Sequence, residues 1–363
     1  MKRWWLALIV LAALAVPAAG LAPIQASSRH WAITSWVLDS VKRRSVATYS
    51  LTVDTPPLDD AGIRLRGAGH YEQGCRPCHG SPLVPPPPIP HGMTPHPPDL
   101  KQQVARWKPR ELFYIVKHGI KFTGMPAWPV LVRDDEIWSM VAFLRLLPSM
   151  DGPTYERMTR GEATPSPTAR PSAAGDDSPL MPPLDAGAQA ALARCASCHG
   201  ADGLGRGGAF PRLAGQRLEY LELALDAYRR GMRHSGVMVP MAADIDEEVQ
   251  AMLVGYYASL PSAVAQLDSA TASPGARIVD RGIPEQDVPA CRECHGPGPP
   301  KNAAYPNLAG QPADYLALQL QLLAEGRRGG SSFETIMRPI ATRLTKEQRH
   351  EVAAFYARGE SSP

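Results

Sequence analysis

Aromatic residues are scarce in this 363-residue chain, only 7% of the total, so the interiors of several domains cannot be filled with large rings alone. An excess of one charge is missing too. Lys and Arg number 38 against 35 Asp and Glu, a formal net charge of +3, and this balance argues against a nucleic-acid partner, which needs a strongly basic face. No segment alternates apolar and polar residues as a half-buried strand does, which points to an all-α chain. Spare cysteine is the last absence. All six cysteines fall into three close pairs, so none is left over for another role.

Each pair has the form Cys-x-x-Cys-His, at Cys75-Arg76-Pro77-Cys78-His79, Cys195-Ala196-Ser197-Cys198-His199 and Cys291-Arg292-Glu293-Cys294-His295. That is the attachment signature of c-type haem. Two thiols so spaced can add to the two vinyl groups of one haem, and the adjacent His can then reach the iron. A structural zinc site uses four ligands, usually from two such pairs, and three pairs each followed by His leave one without a partner. A thioredoxin-like redox pair calls for a βαβ setting, and none surrounds these motifs. Plain disulfides give no reason for His at the same offset three times. The sequence therefore predicts three covalently bound haem c groups, attached at Cys75, Cys78, Cys195, Cys198, Cys291 and Cys294, with His79, His199 and His295 on the irons. Three macrocycles would supply interior volume that the aromatic content withholds, letting small domains be stable, and their propionates would move the net charge toward negative.

The chain is long enough for two or three domains, and three motifs favour three. Met1-Lys2-Arg3 precedes an uncharged, mostly apolar run from Trp4 to Ile24, intermediate between a signal-peptide core and a membrane span. It implies export. Ala18 and Gly20 would allow cleavage, whereas Lys2 and Arg3 on the cytoplasmic side would suit an uncleaved anchor, the reading favoured here. Residues 1–25 are thus a signal peptide or membrane anchor, and 26–62 a juxtamembrane segment. Within that segment His30 to Leu38 is amphipathic and Lys42-Arg43-Arg44 follows, a pattern suited to a membrane surface or to packing on the first haem domain at 63–150. Residues 81–98 are half proline, a loop that cannot be helix or sheet interior. Residues 151–183, rich in Pro, Ser, Thr, Ala and Gly without apolar periodicity, read as a semi-extended linker. Two more haem domains follow at 184–262 and 263–363, and the linker is expected to let the first domain swing against them.

The last two domains are repeats. Pro211-Arg212-Leu213-Ala214-Gly215-Gln216 matches Pro306-Asn307-Leu308-Ala309-Gly310-Gln311, with Tyr220-Leu221 and Tyr315-Leu316 just beyond. Met238 to Tyr257 then aligns without a gap on Met337 to Tyr356. Helical periodicity runs through both: Leu218, Leu221, Leu225 and Tyr228 form one stripe. A closing helix is expected after the N-cap Asp246, burying Val249, Met252, Leu253, Tyr256 and Leu260. Thr345 and Gln348 have capping-box spacing in the repeat. In the first domain Ile137, Val141, Leu144 and Leu147 make the equivalent face, and Pro148 ends it.

A second strong ligand on each iron would close it to substrates and leave electron transfer, and Met opposite His raises the potential. Any one of the 12 methionines is more often packing than ligand, so register must decide. Met238 aligns with Met337, whereas Met241 aligns with Ile340, which makes Met238 and Met337 the candidates and Met241 a packing residue. In the first domain Met125, in Gly124-Met125-Pro126-Ala127-Trp128, stands before the closing helix as the others do. Its rivals are Met93, His91, His96 and His118. The carbonyls of Pro211 and Pro306, and of the looser counterpart Pro98, are placed to accept from the second nitrogen of each histidine, which orients the ring.

All three modules resemble class I cytochrome c domains. Residues 185–363 resemble the tandem dihaem cytochromes c of the c4 type in both Leu-Ala-Gly-Gln motifs, the Met-x-Pro segments, and Gly282-Ile283-Pro284-Glu285 through Val288-Pro289-Ala290-Cys291. Residues 65–148 resemble the broader monohaem group. Ile340 and Arg277-Ile278-Val279 depart from the c4 pattern without touching the ligand positions. The resemblance implies His and Met on iron, haem attachment outside the bacterial cytoplasm, and one-electron transfer in a periplasmic or membrane respiratory chain between redox protein partners, a donor and a terminal oxidase or reductase or a dehydrogenase. The alternative is the cytochrome subunit of a membrane-associated dehydrogenase complex. A haem enzyme or gas sensor would need an open iron, and each domain offers a Met in register.

Overall fold

The computed structural model describes residues 2–21, 24–161, 185–261, 273–296 and 302–358. Among these residues the only β pairing is two isolated bridges, and the fold is all-α, as the missing strand pattern predicts.

The chain opens with α1, Lys2–Ala18, and α2, Ala32–Tyr49. Among the described residues no helix is long and apolar enough to cross a membrane. Helix α2 divides its loyalties. Its C-terminal part packs on the first domain, Tyr49 stacking on Tyr114 with 5.9 Å between ring centroids and Arg43 lying over Trp107. At its other end Trp31, Ile33 and Trp36 are exposed.

Helix α3, Ala61–Gly74, starts at Asp60, whose carboxylate accepts the Ile63 N–H at 2.8 Å, satisfying one orphan donor of the first turn. It delivers Cys75 and runs into the single turn α4, Arg76–His79. The proline-rich stretch and its sequel hold the single turns α5, Pro88–His91, and α6, Leu100–Gln103, the latter running into a 3-10 turn over Val104–Arg106. Then come α7, Pro109–His118, and α8, Asp134–Leu144. Helices α3 and α8 cross at Gly67, where a Cβ would lie 2.0 Å from the Ser139 carbonyl oxygen, so only glycine permits the approach. Tyr71, Ile137, Met140, Val141 and Phe143 fill this core, and Cys75 packs against it. Helix α8 stops at Leu144, and Pro148, which has no N–H to donate to the Leu144 carbonyl, sits in a 3-10 turn over Leu147–Ser149.

Part of the expected linker is helical. Helix α9 spans Gly152–Arg160, with Asp151 accepting the Thr154 N–H at 2.9 Å. Tyr155, 1% exposed, enters the first core and donates to Glu72 Oε2 at 2.7 Å. A helix this short, burying only Tyr155 and Thr159, shows no legible period. Residues 162–184 of the expected linker and its edge lie outside the described residues.

The second core is built by α10, Ala186–His199, α11, Leu218–Arg229, α12, Met238–Ala243, and α13, Glu247–Ser259. The third is built by α14, Pro274–Arg281, α15, Arg292–His295, α16, Ala313–Ala324, α17, Glu334–Arg343, and α18, Lys346–Ala357. The closing helices begin where the caps indicate: Asp246 accepts the Val249 N–H at 2.8 Å, and Thr345 and Gln348 exchange bonds of 3.2 and 2.8 Å. The buried face of α13 is rotated from the expected one. Leu253, Val254, Tyr257 and Leu260 are buried, while Tyr256 packs at the margin with its hydroxyl on the Ala201 carbonyl.

The two repeats pair through their Ala-Gly-Gln motifs. Gln216 donates to Asn307 O at 2.5 Å and accepts the Asn307 N–H at 3.0 Å, and Gln311 treats Arg212 in the same way at 2.8 and 3.0 Å. The first domain is docked on this pair. Arg206 donates to the carbonyls of Arg157, Met158 and Thr159 at the end of α9, the last two of which a helix terminus leaves without intrahelical partners. Arg327 donates to Val132 O, and a Cβ on Gly69 would meet Cys198 Sγ and the Phe210 ring, each at 3.0 Å. The independently swinging first domain expected from composition is replaced by a packed arrangement.

Candidate haem-binding sites

The three motif histidines share one geometry. Nδ1 lies 3.0 Å from Pro98 O in His79, from Pro211 O in His199 and from Pro306 O in His295. A carbonyl only accepts, so Nδ1 carries the proton in each ring and Nε2 keeps a lone pair for a metal. Burial lowers the pKa of all three imidazoles, against the smaller upward pull of the carbonyl. They therefore stand neutral at physiological pH, the form that ligates.

The first cysteine of each motif sits against the core of its own domain. Burial pushes the Cys75 thiol up to about 12 and those of Cys195 and Cys291 to about 11. A redox dithiol works through a readily formed thiolate, and these environments resist one. They suit thiols covered by a large apolar group.

A cavity of about 390 Å³ runs between the second and third domains and reaches the first, whose Arg66, His70 and Glu136 also line it. Its walls include Cys195, Cys198 and His199 from one repeat and Cys291, Cys294 and His295 from the other. Met238 and Met337 line it, as do Met241 and Ile340, so the wall admits both methionines of the second domain and only the register with Ile340 separates them. Arg233 is buried and Arg328 half-buried in the same wall. Arg233 reaches Tyr220 Oη at 3.3 Å and Tyr315 Oη at 3.2 Å, and Arg328 reaches Gln319 Oε1 at 2.8 Å. Among the described residues neither meets a carboxylate. Two adjacent guanidiniums without a counter-ion are costly when desolvated, and haem propionates would supply the missing charge. Donor set and charge both fit haem c.

Cys75, Cys78, His79 and Met125 are not among the walls of that cavity. Met125 lies on a closed loop after α7, where its N–H donates to Thr123 Oγ1 at 3.1 Å and its carbonyl accepts the Ile120 N–H at 3.2 Å. Of its rivals, Met93 packs its sulfur against the neighbouring Gly124, where a Cβ would lie 2.7 Å away. His91 and His96 are exposed, and the His118 ring rests 4.6 Å from that of Tyr114.

Sequence reasoning did not find the roles of Gln216, Gln311, Arg233, Arg328 or Glu136. Gln216 and Gln311 were visible as repeated letters, and Arg233 and Arg328 stand at the same offset as Tyr220 and Tyr315, so repetition was the available signal for these four. Glu136 has no such mark.

Residues 64–144 match the family model described as cytochrome C oxidase, cbb3-type, subunit III, and residues 184–256 match the model for cytochrome c. The thiosulfate dehydrogenase electron acceptor of Stutzerimonas stutzeri (strain A1501) is 36% identical over 176 residues, 47% of this chain and 81% of that protein. Cytochrome c4 of Pseudomonas aeruginosa is 31% identical over 172 residues, 47% of this chain and 86% of that protein. The crystal structure of reduced recombinant cytochrome c4 from Pseudomonas stutzeri aligns with 47% of this chain and 96% of its own, at 30% identity and a TM-score of 0.43.

Proposed function

The chain belongs to the cytochrome c family and is homologous to the dihaem cytochromes c4, and from that premise we propose that it is a trihaem electron-transfer protein of the periplasm, tethered to the inner membrane by its N-terminal segment. The observation that carries the count of three is the repeated 3.0 Å contact between histidine Nδ1 and a proline carbonyl at all three motifs. Cys75 and Cys78 with His79, Cys195 and Cys198 with His199, and Cys291 and Cys294 with His295 hold one haem c each. Met125, Met238 and Met337 would supply the second ligand of each haem. Each haem supplies a one-electron iron couple when bound. The chain's part is to orient each imidazole through its proline, to surround the irons with buried apolar side chains, and to place Arg233 and Arg328 beside the shared cavity. The exposed Trp31, Ile33 and Trp36 of α2 support contact with the membrane surface beside the tether.

The donor and acceptor are redox proteins. The name of the Stutzerimonas stutzeri relative, an electron acceptor of thiosulfate dehydrogenase, supports a second reading in which this chain is the cytochrome partner or subunit of a membrane-associated dehydrogenase. Purification from native membranes separates the two: a free carrier comes alone, a subunit with its enzyme. The function itself is tested by a spectroelectrochemical titration of the purified holoprotein. Three one-electron transitions and poor carbon monoxide binding in the reduced state are expected. A reduced haem that binds carbon monoxide readily in the unmodified protein contradicts the electron-carrier reading for that site.

A further inference from the structure

Glu136, in the first turn of α8, is only 5% exposed, yet four donors from three separate stretches of chain converge on it. Its Oε1 accepts from Ser235 Oγ at 2.6 Å and lies 3.2 Å from Arg133 Nη2. Its Oε2 accepts the Gly236 N–H at 2.7 Å and the Trp128 indole N–H at 3.1 Å. Trp128 closes the segment Gly124-Met125-Pro126-Ala127-Trp128, and Ser235 and Gly236 lead directly into Met238. The Ser235 hydroxyl, its own proton given to Glu136, accepts the N–H groups of Val237 at 3.3 Å and Met238 at 3.0 Å. Gly236 lies against the indole, where a Cβ would come within 2.0 Å of Trp128 Nε1, and Arg133 donates to the His234 carbonyl.

We propose that Glu136 is a positioning residue for two haem sites at once: it fixes the Met125 segment of the first domain and the Met238 segment of the second in one arrangement, so that their distal sides are coupled. The proposal rests on Met125 and Met238 being distal ligands. The physical ground is that a buried carboxylate bonded by several donors has few alternative arrangements, and its loss leaves the Gly236 and Trp128 donors buried without an acceptor. Among the described residues the third site has no such tie. The Met337 N–H donates to Phe333 O at 3.3 Å within its own domain, which makes that site an internal control.

The test uses the reduced holoprotein, in which the ring current of each haem moves the methyl protons of its ligated Met far upfield, one signal per site. Met125→Ala, Met238→Ala and Met337→Ala assign the three signals. Glu136→Leu is then expected to shift, broaden or abolish the Met125 and Met238 signals together and leave the Met337 signal unchanged. Glu136→Gln, which keeps an acceptor oxygen, should restore them in part. Ser235→Ala should disturb the Met238 signal and Trp128→Phe the Met125 signal, and these milder variants carry the test if Glu136→Leu does not fold. Unchanged Met125 and Met238 signals in Glu136→Leu, or in both milder variants, overturn the proposal, as does a Met337 signal disturbed equally with them. If Met238→Ala removes no signal, the ligand assignment falls and the proposal with it.

Discussion

His70 shows what burial does to a single titratable group here. On α3, 8% exposed and facing Trp128, it is held uncharged: burial drives its pKa from 6.5 to about 3, with Arg66 adding to the shift and Asp135 opposing it. The unfolded chain takes up this proton near pH 6.5 and the folded one does not, so stability falls as pH drops below about 6.5 and levels off only near about 3. Between neutral pH and about pH 5 the loss from this residue is about 2 kcal/mol. Urea unfolding of the wild type and His70→Leu at both pH values checks this, and the variant should show the smaller difference. At this scale legibility depended on whether the chemistry is local in sequence. Cys75, Cys78 and His79 are adjacent and declare themselves. Glu136 takes its meaning from Trp128, Ser235 and Gly236, and no pattern along the chain announces a partner that far away.

Helices were legible where a cap and a period coincide, as at Asp246 and Thr345, and less so where the period was short. Helix α9 was hidden because proline and serine dominate its neighbourhood and a single aromatic, Tyr155, anchors it. Tyr155→Ala should cost about 3–5 kcal/mol in the first domain, whereas Tyr155→Phe should cost about 1 kcal/mol for the lost bond to Glu72. Equal effects in thermal unfolding would mean that the hydroxyl, not the ring, holds α9. The rotated face of α13 has a similar origin: apolar side chains surround that helix on more than one side, and periodicity alone does not say which side the core takes. Between the repeats, Gln216→Ala strips both the N–H and the carbonyl of Asn307 of their partner, at a cost of roughly 1–3 kcal/mol for each buried group left unmet. A melting temperature equal to that of wild type would show that solvent replaces the glutamine and that the pairing is loose.

As a whole the molecule is a docked set of cytochrome c domains rather than beads on a string. Composition alone suggested the string, because it reports only what the connecting segment can do by itself. Side-chain contacts between the domains decide otherwise: Arg206 on the end of α9 and Arg327 on Val132 at the surface, and the buried bond from Ser235 to Glu136. A protease site engineered between residues 162 and 184, once cut, should leave the two fragments together in gel filtration at low micromolar concentration. Separation into a one-haem and a two-haem piece would restore the swinging picture. The all-α cytochrome c architecture was legible from the motifs and the missing strand pattern, and the docking was not, since it depends on side chains of no unusual type that lie from 49 to 195 residues from their partners in sequence. Beneath all of this lies the claim that each motif holds its own haem. Intact-mass analysis of the fully matured protein under denaturing conditions tests it most directly: the account predicts the polypeptide plus three haems with no free thiol, and two haems or fewer with free thiols at one motif would contradict it.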